Sequence, residues 1–114
     1  MANRKNPLGL NALQLKTLAL LQELARMPET SAPGNDEGSR AVIHLPHPHG
    51  NHFHLGRYVV MTQDASGLFN PAPWAVLERK GLIRSMFPDG AVVTAEGLAY
   101  DTGVRDQILH SADH

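Results

Sequence analysis

Histidine is the residue type whose spacing in this chain could support chemistry. Five of the seven histidines lie within eleven residues, namely His44, His47, His49, His52 and His54. Imidazole binds borderline metal ions and titrates near neutral pH. The chain contains no cysteine, so its strong side-chain metal ligands are limited to His, Asp and Glu. The tract is therefore a candidate metal site, with zinc or nickel as the metal.

The residues around these histidines favour a β-hairpin. Residues 41–46 and 52–61 are rich in Val, Ile, Phe, Tyr and Leu. The segment between them contains Pro48 and Gly50, which are typical turn residues. We therefore expect residues 47–51 to form a turn between two paired strands.

The register of this hairpin decides which histidines meet. If Pro46 lies opposite His52, then His44 lies opposite His54, and the three histidines share one face. Three imidazoles on one face leave a fourth metal position for water, as in zinc sites built from histidine alone. A shift of one residue moves His44 to the other face. A structural hairpin with solvated histidines, a metal site and a proton sensor therefore all remain open.

The composition is that of a small folded domain. The chain has 114 residues, of which 42% are apolar and 18% are charged, which indicates one globular domain over residues 1–114. Ten basic and eleven acidic residues give a formal net charge of -1, so binding to DNA would require a local basic patch.

No known catalytic motif stands out. Phosphate-binding loops, dinucleotide fingerprints, the nucleophile elbow and the zinc-protease helix motif are missing from the sequence. We therefore expect a binding protein and not an enzyme, unless the histidines hold a catalytic metal. The lack of cysteine, of a signal peptide and of a membrane-spanning run favours a cytoplasmic protein without a membrane partner.

The strongest helix signal is near the N-terminus. Asn11 and Gln14 have the spacing of a capping box, which predicts a helix that starts near Ala12, and Pro28 stops it. Its leucines cover a wider arc than one core contact needs, so we expect a homodimer interface on this helix. Residues 27–40 are polar and rich in Gly and Pro, which predicts a mobile surface loop. Residues 1–9 and 111–114 are expected to be flexible ends.

The last third of the chain predicts a helix followed by a second hairpin. Asn70 and Pro71 open a short helix that Gly81 ends. Residues 82–87 and 91–94 are short strands around a turn whose Gly90 is free to adopt a positive φ. Thr94 caps a closing helix that runs to Leu109 and that Gly97 and Gly103 interrupt.

Residues 74–100 resemble the second half of a winged helix-turn-helix domain of the MarR type, and the likeness extends over about residues 70–103. The matching elements are the helix that ends in Arg79-Lys80-Gly81, the strand that begins with Leu-Ile-Arg, and the short hairpin after it. The resemblance implies a recognition helix in the DNA major groove, a preceding helix from residues 58–66, and a wing on the adjacent backbone. The DNA contacts it implies here are Asn70, Arg79, Lys80 and Arg84.

The sequence as a whole predicts an α+β domain: a small winged-helix-like fold with an additional His-rich β-hairpin. Its expected function is DNA binding as a dimer, in the manner of a transcription regulator, with the histidine hairpin as a metal or pH input. Two alternatives remain: a histidine-coordinated metal protein without a DNA role, and a winged helix used for protein association.

Overall fold

A computed structural model describes residues 6–47 and 50–111 of the chain. The α-helices are α1 (Ala12–Arg26), α2 (Pro71–Arg79), α3 (Ala95–Ala99) and α4 (Arg105–Ile108), and a 3-10 helix spans Thr62–Phe69. The strands are β1 (Ser31–Pro33), β2 (Arg40–Val42), β3 (His52–Leu55), β4 (Tyr58–Met61), β5 (Ile83–Met86), β6 (Gly90–Val93) and β7 (His110–Ser111). The architecture is α+β, with two antiparallel sheets.

Helix α1 begins and ends where the sequence predicts. The Asn11 side chain accepts a hydrogen bond from the Gln14 amide, and the Gln14 side chain accepts one from the Asn11 amide, so the capping box is complete. Residues 17–25 are all buried, because α1 packs against the first sheet, the 3-10 helix and all three other α-helices. The wide apolar arc that suggested a homodimer interface is thus used inside the monomer. Self-association of the chain stays a prediction.

The polar segment after α1 carries more structure than its composition indicates. We expected a surface loop over residues 27–40, but Ser31–Pro33 forms the edge strand β1, paired with β2. The Ser31 hydroxyl donates to the carbonyls of Ala25 and Met27, which fixes the strand to the end of α1. The sequence did not indicate this strand, because side-chain hydrogen bonds hold it in place and not the alternating apolar residues by which strands are predicted.

The first sheet has the strand order β1-β2-β6-β5, and all its pairs are antiparallel. Strands β5 and β6 form the predicted second hairpin. Gly90 at its turn does not have the positive φ that we expected. A side chain there would instead overlap the carbonyl oxygen of Val42 on β2, so glycine permits close strand approach.

The second sheet has the order β3-β4-β7, and it overturns the predicted histidine hairpin. Residues 41–46 do not pair with 52–61: β2 joins the first sheet, whereas β3 pairs with β4 across the turn at Gly56. Gly56 has φ 58°, a left-handed conformation that suits glycine in a tight turn. The predicted strand over residues 52–61 is therefore itself a hairpin.

The C-terminal segment contains less helix than the sequence predicts. The expected helix from Thr94 to Leu109 is divided into α3 and α4 by residues 100–104, where Gly103 has φ 72°. Residue 111, expected in a flexible tail, belongs to β7, which pairs with β4. Across the described part of the chain, no helix is both long and apolar enough to cross a membrane.

Candidate functional site

Two surfaces hold the residues that the sequence singled out. The first is the exposed side of α2 together with the β5–β6 hairpin. Arg79 and Lys80 at the C-terminal end of α2 are both exposed, as is Arg84 on β5. The amide of Ser85 donates to the Glu78 carboxylate at 3.3 Å, which connects the end of α2 to β5. The three basic candidates therefore belong to one helix-strand unit.

Two of the predicted DNA contacts have partners within the chain. The Asn70 side-chain oxygen accepts a hydrogen bond from the Ala72 amide at 3.0 Å, so this residue caps α2 as predicted. Arg84 forms an ion pair with Asp36, whose side chain comes from the polar segment before β2. Both members of the pair are more than half exposed, so its main effect is to lower the local positive charge and not to stabilise the fold.

The second surface is the outer face of the second sheet. His52 and His54 point to the same side of β3, and their ring centroids are 5.0 Å apart with an interplanar angle of 82°. On the opposite side of the strand, Phe53 and Leu55 are fully buried in the core. A shift of register would exchange these apolar side chains with the imidazoles, so the core fixes the direction of both histidines.

The structure does not assemble the predicted triad of His44, His52 and His54. His44 and His47 are exposed in the connection after β2, and His49 lies outside the described residues. No group of three or more His, Cys, Asp or Glu side chains within residues 6–47 and 50–111 is arranged to hold a metal ion. The pairing expected for His44 fails because its strand joins the other sheet.

A cavity of about 480 Å³ opens on this face. The residues that line it are Asn51, His52, His54, Val59, Met61, His110 and Ser111. Met61 is the direct cross-strand partner of His52, and His110 is the partner of Val59 on β7. The sheet thus gathers three histidines and one methionine from three different strands.

The sequence pointed to only part of this cavity. Alternation along β4 places Val59 and Met61 on one face, so a correct β3–β4 register would have predicted Met61 beside the histidines. His110 was missed because β7 has only two residues and pairs with a strand far away in sequence. No local pattern marks such a strand.

The Tyr58 hydroxyl at the edge of the second sheet has an altered acidity. Arg105 donates a hydrogen bond to it at 3.3 Å, and the guanidinium of Arg57 lies 5.9 Å from the ring centroid. Arg105 first, and Arg57 after it, favour the phenolate and lower the pKa of Tyr58 below its usual value.

Comparisons of the chain with family models, with curated proteins and with solved structures return no match.

Proposed function

We propose that this chain is a winged-helix-like module that binds double-stranded DNA through α2 and the β5–β6 hairpin. The observation that carries the proposal is the strand order β2-β6-β5, in which a strand from the first half of the chain pairs with the second strand of the hairpin. The 3-10 helix and α2 precede that hairpin and are separated by Asn70 alone. Two successive helices followed by a hairpin that pairs with an earlier strand are the elements of a winged helix-turn-helix domain, and β1 adds a fourth strand to the sheet here.

The surface of α2 supports close approach to a groove. Ala72 and Ala75 are exposed and small, so little side-chain bulk separates this face of the helix from a DNA base edge. Arg79 and Lys80 extend from the end of the helix, where they reach phosphates. In this arrangement the basic side chains provide the affinity for DNA, and α2 determines where the module sits in the groove.

The charge balance sets the expected strength of binding. Arg79, Lys80 and Arg84 offer three positive charges per chain, while Glu78 and Asp36 stand beside them. Contact with three phosphates corresponds to a slope of roughly -3 for log K against log salt. Binding is therefore weak at physiological salt and strengthens steeply as salt is lowered.

The test is a salt series of fluorescence anisotropy with a labelled mixed-sequence duplex. Replacing Arg79 and Lys80 together by Ala should weaken binding and reduce the slope by about 2. The matched control is the double variant Arg26→Ala with Arg57→Ala, which removes the same charge from other surfaces. Absence of binding at low salt, or equal slopes for the two variants, would refute the proposal.

A second variant tests Arg84 separately. Asp36→Asn frees the Arg84 guanidinium, so DNA affinity should rise several-fold, about the effect of one exposed ion pair. In an Arg84→Ala background the same substitution should have no effect. An equal rise in both backgrounds would mean that Asp36 acts through general charge and not through Arg84.

A second candidate function is association with another copy of this chain through exposed apolar side chains that precede and follow α2 in the sequence. Phe69, just before α2, and Met86, on β5, are each 50% exposed, which favours an apolar contact. Sedimentation at increasing protein concentration should then show a dimer that the double variant Phe69→Ser with Met86→Ser removes. A monomer at all concentrations would exclude this role.

A further inference from the structure

We infer that His52, His54 and Met61 form a binding site for a soft monovalent metal ion of the Cu(I) class. His52 and Met61 are direct cross-strand partners, and His54 lies two residues along the same face of β3. The two imidazole rings are 5.0 Å apart, and all three side chains line the same cavity. Directly paired side chains on one face have Cβ atoms roughly 5 Å apart, which is within reach of a shared ion.

The ligand types select the metal. Thioether sulfur is a soft ligand that favours Cu(I), and imidazole also binds copper. Zinc sites use at least three ligands drawn from cysteine, histidine and carboxylates. His110, the third histidine of the cavity, is separated from His54 by Val59 on the middle strand, and the described residues contain no group of three such ligands arranged to hold an ion. Two imidazoles with one thioether make a set suited to a soft ion with few ligands.

The charge of the cavity favours a monovalent ion. Among the described residues that line it, none is acidic. The cost of moving an ion out of water grows with the square of its charge, so a divalent ion would cost about four times as much as a monovalent one in the same place. Met61 and Val59 add apolar surface to the lining.

The pairing of β3 with β4 fixes the positions of the three ligand residues. Phe53 and Val60 pair across β3 and β4 on the inner face and are fully buried. They fix the register that sets His52 opposite Met61. Because core packing fixes this register, metal binding need not be coupled to folding of the hairpin.

The experiment is an anaerobic titration of the full chain with Cu(I), in competition with a coloured Cu(I) chelator. The wild-type chain should withhold a single equivalent from the chelator. Met61→Leu, which keeps the size and removes the sulfur, should lower the affinity at least about tenfold. The matched control is Met86→Leu on the first sheet, which should bind as the wild type does. His54→Gln, at an exposed position, should also weaken binding and provides a second variant that leaves the core intact.

Three results would overturn the inference. The first is that the wild-type chain withholds no Cu(I) from the chelator. The second is equal affinity of Met61→Leu and the wild type in chains with the same thermal stability. The third is a loss of affinity in the double variant His44→Ala with His47→Ala that matches the loss in His54→Gln, because this would move the site from the cavity to the preceding loop.

Discussion

Arg105 on α4 binds Glu23 on α1, with 2.9 Å between the guanidinium nitrogen and the carboxylate oxygen. Glu23 lies among the buried residues of α1, and its side chain is 9% exposed. A carboxylate in such a place needs a cationic partner, since an unpaired buried charge is costly. The pair therefore joins the last helix to the first and neutralises a charge at the edge of the core.

Removal of one partner should destabilise the fold. Arg105→Met leaves Arg26, at 3.4 Å, as the ionic partner of Glu23 among the described residues. We expect a loss of about 1–3 kcal/mol in the free energy of unfolding. The measurement is urea denaturation followed by circular dichroism. In the Glu23→Gln background the same substitution should cost less, and additive losses would show that the two side chains do not interact.

Arg105 also governs the ionisation of Tyr58. Because the native pKa of Tyr58 is lowered, the native state binds fewer protons than the unfolded state between that pKa and the ordinary value of about 10. This group therefore adds stability as the pH rises through that interval, and the contribution is lost as the pH falls through the native pKa. Tyrosinate absorbance, with Tyr58→Phe subtracted, should titrate below the ordinary value. Arg105→Met should move the midpoint upward, and an unchanged midpoint would contradict the assigned cause.

Gly67 sets the distance between the 3-10 helix and α1. A methyl group at this position would overlap the Thr17 hydroxyl, so Gly67→Ala should destabilise the fold by about 1–3 kcal/mol. Adding Thr17→Ala should recover part of the loss in thermal denaturation. Gly90→Ala provides the comparison, because it meets the backbone of Val42, and no side-chain substitution there can make room. If Thr17→Ala recovers stability in both the Gly67→Ala and the Gly90→Ala variant, or in neither, this steric explanation is excluded.

Trp74 anchors α2 to the 3-10 helix by a hydrogen bond as well as by the burial of its apolar ring. Its indole nitrogen donates to the Gly67 carbonyl at 2.9 Å, and its ring meets Phe87 edge to face. Trp74→Phe loses the donor and leaves a smaller ring in a buried site, so we expect a loss of about 2 kcal/mol. Phe87→Leu, which keeps the hydrogen bond, should cost less by the same denaturation measurement. A larger loss for Phe87→Leu would assign the anchoring to ring packing alone.

The elements that the sequence predicted well are those with local signals. The capping box at Asn11, the cap at Asn70 and the left-handed Gly81 after α2 are contained within a few residues, and all are present in the structure. The β5–β6 hairpin also follows from neighbouring residues, because its strands are separated by one short turn. Short-range hydrogen bonding determines these features, so composition and spacing suffice to find them.

The errors concern partners that lie far apart in the chain. Alternation indicated extended chain on both sides of the histidines, but it missed the turn inside residues 52–61 and carries no information on which strand each one joins. Val42 pairs with Ala91, and Val59 with His110, so the cavity depends on contacts between the first half of the chain and its end. The sequence identified the histidines as a group. To find Met61 beside them, one would have had to place the turn at Gly56.

The burial of residues 17–25 of α1 has a consequence for how the protein is made. Residues 17–25 emerge from the ribosome early, yet the elements that cover them include α2, β6, α3 and α4, which are synthesised much later. A leucine-rich helix therefore remains uncovered until these later elements have been translated. Nascent chains arrested before α4 should accordingly associate with chaperones and aggregate, whereas released chains should fold in one step.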